Sequence, residues 1–196
     1  MLKEIVRKNR SYRSFDGSHA ISRETLLELV DCARFTPSSV NLQPFQYFLS
    51  CTPETNETIF PLTAWARLLP NYDGPAEGHH PTAYIVVCTD KNIGPNVDRF
   101  RTDVGIVSQT IMLAAVEKGL GGCMIGNYDK EKLAAALKLP ENLIPSLVLA
   151  LGKPDEEITL LELEKGGDSK YFRKDGKHYV PKRRLEDIVL GDEGDE

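Results

Sequence analysis

The chain has 196 residues and a formal net charge of −5, with 41% hydrophobic and 27% charged residues. This balance is typical of a globular domain, excludes a disordered chain and argues against a protein that coats nucleic acid. No apolar run approaches the roughly 20 residues that span a bilayer, and the start at Met1–Arg7 lacks the apolar core of an export signal. Four widely spaced cysteines without a CxxC pair indicate buried, reduced thiols, so we expect a cytoplasmic protein.

Apolar periodicity predicts helices and strands that alternate along the chain. One helix follows the N-cap Ser22, a second, buried nearly all round, covers residues 103–118, and a third follows the cap Asp129. Short strands are predicted at residues 46–51, 83–88 and 147–151. Residues 54–81 are rich in proline and glycine and indicate a long surface segment, and the stretch after Pro154 is polar. This order predicts a sheet with helices on both faces.

Two basic clusters stand out in this acidic chain. The first runs from Asn9 to Phe15 and contains Arg10 and Arg13, and the second is Pro181-Lys182-Arg183-Arg184. Guanidinium groups match phosphate oxygens, so two clusters that converge would bind a small anion. Solvated surface charge explains either cluster equally well when it is taken alone.

Two small, polar segments could hold a ligand. Residues 36–44 form a loop with hydroxyl and amide groups between two prolines, which suits a wall for a ring ligand or a structural turn. Residues 121–127 are glycine-rich but lack both the dinucleotide and the P-loop fingerprints, so they allow close approach of a flat ligand or close packing of a helix and a strand. The four histidines show no metal spacing and no nucleophile elbow is present, which suggests that a cofactor carries the chemistry.

Taken in order, these segments resemble the nitroreductase family of FMN-dependent oxidoreductases. The resemblance rests on residues 10–15, 37–44, 103–109, 121–126, 151–154 and 181–185 and spans nearly the whole chain. It implies an α+β fold with a mixed, mainly antiparallel sheet flanked by helices in α/β/α layers. It also implies a single FMN-binding domain over residues 1–184, followed by a segment, 185–196, whose apolar part packs on a partner subunit as in family members; packing on its own subunit is the alternative. The acidic residues at the end of this segment indicate a disordered tail.

The resemblance further implies a homodimer with FMN at the subunit interface and assigns roles to individual residues. Those expected around the phosphate are Arg10, Ser11, Lys182 and Arg184. Arg13 is expected at the N1/O2 edge of the flavin, where negative charge develops on reduction, and so in the catalytic role. Those expected around the ring are Pro37, Ser38, Ser39 and Asn41 of the other subunit, and Ile125, Gly126 and Asn127. Asn9 stands where many members carry an arginine, so either phosphate binding depends more on Arg10 or Arg10 is shifted from its usual role.

The implied reaction is ping-pong electron transfer from NADH or NADPH, through the flavin, to a nitroaromatic, a quinone or a related small acceptor. No metal, nucleic acid or membrane is implied. Two other functions agree with the same residues: a flavin-binding or flavin-transfer protein with little turnover, and a module that binds a phosphate ligand but no flavin.

Overall fold

In a computed structural model that describes residues 1–66, 68–70 and 72–191, the chain forms two compact units. The first comprises Met1–Trp65 and Asp73–Asp155, and the second comprises Ala66–Tyr72 and Glu156–Glu196. Helices and antiparallel strands are both present, which confirms the predicted α+β class. The predicted boundary at residue 184 stays a prediction, and the acidic tail from residue 192 lies outside the described residues.

The first unit contains a four-stranded sheet and the longer helices. Its helices are α1 (Leu2–Lys8), α2 (Arg23–Ala33), α3 (Pro53–Ile59), α4 (Arg101–Glu117) and α5 (Lys130–Ala136). Its strands are β1 (Phe45–Ser50), β2 (Ala83–Asp90), β3 (Gly121–Ile125) and β4 (Leu143–Gly152).

Side-chain caps fix where three of these helices begin. Ser22 accepts a hydrogen bond from the Thr25 N–H at the start of α2, and Asp129 accepts one from the Lys132 N–H at the start of α5, as predicted. Thr52 caps α3 in the same way, ahead of a proline in the first turn. The prediction that residues 54–81 form only a surface segment is therefore wrong at its beginning, because a cap followed by proline starts a helix there.

The sheet has the strand order β1-β2-β4-β3, and every neighbouring pair is antiparallel. All eight residues of β2 are buried, as its central place requires. Its alternate residues Ala83, Ile85 and Val87 join α2 and α4 in one hydrophobic core, while α3 contacts β2 and α5 contacts β4. The predicted layers of helix, sheet and helix are thus present. α4 ends at Glu117, and Gly119, with a φ of +72°, turns the chain into β3 at Gly121.

The second unit is a small sheet in a stretch for which the sequence predicted no strands. It consists of β5 (Ile158–Leu163), β6 (Phe172–Lys174) and β7 (Lys177–Arg183) in the order β5-β7-β6. β7 pairs in parallel with β5 and antiparallel with β6. Charged residues occupy exposed positions of β6 and β7, which masks these two strands in the sequence, whereas β5 has a largely apolar sequence that the prediction overlooked. A 3-10 turn at Leu185–Asp187 follows β7.

The four cysteines are free thiols in different environments. Cys88 and Cys123 are buried and Cys51 is half-buried, but Cys32 is exposed on α2, so the prediction of buried thiols is wrong there. Burial raises the pKa of the Cys88 thiol to about 12. Among the described residues, no helix is both long and apolar enough to cross a membrane.

Candidate functional site

The first basic cluster lies along the edge strand of the main sheet. After α1, Ser11 forms a parallel bridge with Gly122 of β3, and the Tyr12 N–H donates to the Gly122 carbonyl over 3.0 Å. A Cβ atom at Gly121 would lie 2.5 Å from the Tyr12 ring, and one at Gly122 would collide with the Ala150 carbonyl. Close packing therefore explains these two glycines, and their place beside Ser11 brings the N-terminal cluster to β3.

Arg10 offers a hydrogen-bond donor that the described chain does not satisfy. One of its terminal nitrogens donates to the Val6 carbonyl over 2.9 Å, but its Nε is buried without a hydrogen-bond partner among the described residues. Burial lowers the pKa of Arg10, because the charged form loses hydration. Arg13 is half-buried and donates to the Ser11 carbonyl over 3.1 Å. An anion at Arg10 would satisfy the donor and compensate for the lost hydration.

The other end of β3 carries the predicted ring-binding residues. Ile125 is buried, Asn127 is half-buried, and Gly126 between them is exposed, with no atom within 4 Å of a Cβ built on it. The Asn127 carbonyl accepts a hydrogen bond from the Ala64 N–H over 2.9 Å. Gly126 thus leaves an open surface that a flat ring could cover, on the strand that also meets Ser11.

Sequence reasoning missed the segment that holds the end of β3 in place. Besides the bond from Ala64 to Asn127, Thr63 forms an antiparallel bridge with Tyr128. These are backbone contacts between positions far apart in the chain, and no pattern of side chains in the sequence predicts them. The region from 54 to 81 therefore contributes to the candidate site through Thr63 and Ala64.

The predicted wall at residues 37–41 is anchored to the first turn of α4. The buried Asp103 carboxylate accepts hydrogen bonds from the Ser38 hydroxyl over 3.0 Å and from the Ser39 N–H over 2.6 Å. Val40 and Asn41 then adopt positive φ angles of 46° and 56°, which is unusual for a β-branched residue such as valine. Pro37 and Asn41 are exposed. The loop is a well-bonded turn whose exposed tip is open to a ligand or a partner, so both interpretations of the sequence fit it.

Lys182 and Arg184 belong to the second unit. Lys182 is exposed on β7, in register with Glu162 of β5. The Nε of Arg184 lies 3.0 Å from an Asp187 carboxylate oxygen and 3.3 Å from a Glu186 oxygen. The hydrogen bond to Asp187 raises the pKa of Arg184. Sequence reasoning missed these two acidic partners, although they follow the cluster directly.

No group of histidine, cysteine, aspartate and glutamate side chains suited to a metal ion occurs among the described residues.

The model of one known family matches residues 6–153, and its description is Nitroreductase family. The chain belongs to this family. The resemblance drawn from the motifs is confirmed, and with it the prediction of an oxidoreductase.

Individual relatives agree with the family assignment. The Bacillus subtilis (strain 168) protein YdgI, provisionally named an NAD(P)H nitroreductase, is 28% identical over 185 aligned residues that cover 79% of this chain and 88% of YdgI. A provisionally assigned nitroreductase from Exiguobacterium sibiricum 255-15, solved in complex with FMN, is 24% identical, with a TM-score of 0.66 and coverage of 80% and 89% of the two chains.

A provisionally assigned NAD(P)H:FMN oxidoreductase from Staphylococcus epidermidis ATCC 12228 has a TM-score of 0.71 and covers 97% of this chain and 95% of its own. Its sequence identity is 17%. At such identities the solved structures establish that the nitroreductase fold is shared.

Proposed function

We propose that this nitroreductase-family protein binds FMN and passes electrons from NADH or NADPH to a small acceptor, such as a nitroaromatic or a quinone. The observation that carries the proposal is the buried, unsatisfied Nε of Arg10, next in sequence to Ser11, which bridges to β3, the strand that ends just before the open Gly126. A buried donor favours an anion, and an open glycine surface favours a flat ring. FMN contains both. The FMN complex of the Exiguobacterium relative supports the same cofactor.

The residues present suit the two parts of this cofactor. Those proposed to hold the phosphate are Arg10, Ser11, Lys182 and Arg184. Those proposed to face the ring are Arg13, Ile125, Gly126 and Asn127, with Pro37, Ser38, Ser39 and Asn41 supplied by the partner subunit. When bound, FMN would supply the two-electron chemistry that side chains lack.

The protein's own contribution to the reaction is mainly electrostatic. Arg13 is held half-buried by its bond to the Ser11 carbonyl, where a fixed positive charge is less screened than in water. We propose that it faces the edge of the flavin ring on which negative charge grows during reduction. A charge that is already oriented needs no reorganisation in the transition state, so it lowers the barrier.

The positive charge of Arg184 is already balanced by neighbouring carboxylates. Asp187 and Glu186 both pair with it, so a phosphate must compete with two carboxylates for the same guanidinium group. Arg10 has no such competitor among the residues that the structure describes, and its Nε donor is free. We therefore assign the larger share of phosphate affinity to Arg10.

We also propose a homodimer. Apolar side chains at the end of the second unit are exposed on the single chain, among them Leu185 at 72% and Leu190 at 96%. A partner subunit would bury them, in agreement with the shared site that the family resemblance implies. The cytoplasmic location stays a prediction.

Initial-rate kinetics of the FMN-loaded protein test the proposed function. With NADH and p-nitrobenzoate varied together, we expect parallel double-reciprocal lines, because the donor must leave before the acceptor binds. Intersecting lines would show that both substrates bind together and would contradict the ping-pong order. A loaded protein that oxidises neither NADH nor NADPH would contradict the enzyme and favour the flavin-binding or flavin-transfer alternative.

A further inference from the structure

A cavity of about 580 Å³ lies in the first unit, and none of the residues that we assign to FMN lines it. Its walls come from three segments: the turn at Gly17 and Ala20, the region of α3 from Cys51 to Phe60, and residues 77–84 at the start of β2. This volume lies within the range of about 300–1,000 Å³ that is usual for small-molecule sites. The cavity is therefore large enough to bind an organic compound of its own.

Two hydroxyl groups among the lining residues have no hydrogen-bond partner. Tyr84 is fully buried, with 0% of its surface exposed, and its hydroxyl is unpaired within the described structure. The Thr82 Oγ1 atom is buried and unpaired in the same way. Burial without a partner is unfavourable for a polar group, and most buried hydroxyls in folded proteins are paired. Two residues of the cavity wall therefore carry hydroxyls whose hydrogen-bonding capacity the described residues leave unused.

The surrounding wall is fixed before any ligand arrives. The Asn56 side-chain amide donates to the Thr82 carbonyl over 2.8 Å, and its oxygen accepts from the Ser50 hydroxyl over 2.7 Å. Phe60 stacks on His80 with 3.9 Å between the ring centroids. Both Asn56 and the stacked pair line the cavity, so its polar and apolar walls are preorganised.

The charge of the lining selects the class of ligand. Glu57 and Glu77 both line the cavity, and neither lysine nor arginine does so among the described residues. An anionic compound such as FMN or a nicotinamide nucleotide would be repelled, whereas an ammonium group would be attracted. Pro53, Phe60 and Pro81 provide apolar surface for the body of the ligand.

We propose that this cavity is a second binding site, separate from the flavin site, for a small organic amine that carries an apolar ring. The ammonium group pairs with Glu57 and Glu77, and the ring packs against Phe60 and the two prolines. This inference goes beyond the proposed oxidoreductase activity and does not depend on it.

Three ring compounds of nearly equal shape test the ligand class by isothermal titration calorimetry on the FMN-loaded protein. They are benzylamine as the cation, benzyl alcohol as the neutral analogue and benzoate as the anion. We expect saturable binding of benzylamine at one site per chain, binding of the alcohol weaker by about tenfold, and no binding of benzoate. Equal binding of all three compounds, or no binding of benzylamine, would overturn the proposal.

Matched variants test the location of the site. Glu57→Gln combined with Glu77→Gln should weaken benzylamine binding by about tenfold, while Glu54→Gln, on the same helix but outside the cavity, should not change it. Tyr84→Phe, which removes a hydroxyl at a buried position, should weaken binding by about threefold or more. Ala20→Trp begins from an exposed position and should abolish binding by filling the cavity without disturbing the core.

Benzylamine binding that survives both Ala20→Trp and the double glutamate change would place the ligand elsewhere and overturn the proposal. The flavin absorbance provides a separate readout, since an amine that displaces FMN has entered the flavin site and contradicts a second one. A protein that binds benzylamine in the cavity but oxidises neither NADH nor NADPH would refute the oxidoreductase proposal alone.

Discussion

Arg10 donates to the Val6 carbonyl and keeps a second, buried donor at its Nε without a partner. Burial of a charged group is costly, and the lowered pKa of Arg10 expresses that cost. A dianionic phosphate would offset it, because hydrogen bonds between charged groups are among the strongest in proteins. The position of Arg10 therefore makes it the residue on which phosphate binding depends most.

Arg10→Ala should raise the dissociation constant of FMN by about 10- to 100-fold, since a hydrogen bond to a charged group contributes about 1.5–3 kcal/mol. Fluorescence titration of the apoprotein with FMN measures this change. The matched control is Arg7→Ala, because Arg7 is an exposed arginine near the end of α1. This change should leave the dissociation constant of FMN within about twofold. Equal effects of the two changes would remove the special role of Arg10.

A second prediction at this scale concerns the alkaline stability of the fold. The Cys88 thiol is 1% exposed, and burial raises its pKa from the ordinary 9.0 to about 12. The folded protein thus retains the proton when the unfolded chain has lost it. Its contribution to stability is complete below pH 9 and is lost as the pH rises from 9 toward 12.

Cys88→Ala should therefore flatten the fall of the unfolding free energy with pH in this range by about 1.4 kcal/mol per pH unit, which corresponds to one proton. Urea unfolding at several pH values measures the slope. Cys32→Ala is the control, because that thiol is exposed in the folded protein. The same slope in Cys88→Ala and in the unchanged protein would contradict a buried, protonated thiol.

At the level of single residues, the sequence was sufficient to choose candidates but not to bring them together. Arg10 and Gly126 were chosen from motifs, and only the bridge between Ser11 and Gly122 shows that the segment after Arg10 runs beside β3, the edge strand that ends just before Gly126. Asp103 was predicted merely as the start of a helix, yet its carboxylate holds Ser38 and Ser39. Such contacts join positions about 65 residues apart and have no local signature.

The loop between α2 and β1 depends on a single buried carboxylate in α4. Asp103 accepts two hydrogen bonds from Ser38 and Ser39, and the chain beyond them passes through positive φ at Val40 and Asn41. Positive φ is unfavourable for valine, so the loop keeps this shape only because its ends are fixed. We expect the tip, which is exposed on the single chain, to be held ready for the ring of FMN in the partner subunit.

Asp103→Asn should lower the free energy of unfolding by about 1–3 kcal/mol, because it removes the charged acceptor of a buried hydrogen-bond pair. It should also weaken FMN binding, since the loop would lose its fixed shape. Asp98→Asn is the matched control: Asp98 forms an exposed ion pair with Arg101, and its loss should cost less than about 0.5 kcal/mol. Denaturant unfolding measures the free energy of unfolding of both variants. Equal values for the two would contradict the anchoring role of Asp103.

Among the secondary-structure elements, prediction succeeded where local signals were strong. The caps at Ser22 and Asp129 and the apolar run of β2 mark elements that the structure contains. It failed for β6 and β7, whose exposed positions are largely charged, and it overlooked the largely apolar β5. The parallel pairing of β5 with β7 has no local turn signal in the sequence. The helix at Pro53–Ile59 was missed, although Thr52 and Pro53 carry its start signal.

In the whole molecule, the exposed apolar residues near the carboxyl end favour burial against a partner subunit. Leu185, Ile188, Val189 and Leu190 are between 53% and 96% exposed on the single chain. A contiguous group of this kind is unusual on the surface of a monomer. We therefore expect the protein to be a dimer in solution, with these side chains buried in it.

Ile188→Ser combined with Leu190→Ser should weaken the dimer by at least about tenfold, because burial of one aliphatic side chain contributes about 1.5–3 kcal/mol. Light scattering over a dilution series measures this change. Ile93→Ser, which alters an exposed isoleucine of the first unit, is the control. A monomeric mass for the unchanged protein at all concentrations would refute both the dimer and the shared flavin site.

The central claim is that this chain binds FMN and that NADH or NADPH reduces it. The most direct measurement is the absorbance spectrum of the purified protein from about 300 to 550 nm, recorded under anaerobic conditions before and after NADH is added and then NADPH. We expect a flavin spectrum that bleaches with at least one donor. A protein that stays colourless after reconstitution with FMN would contradict the claim, and so would a flavin spectrum that neither donor changes.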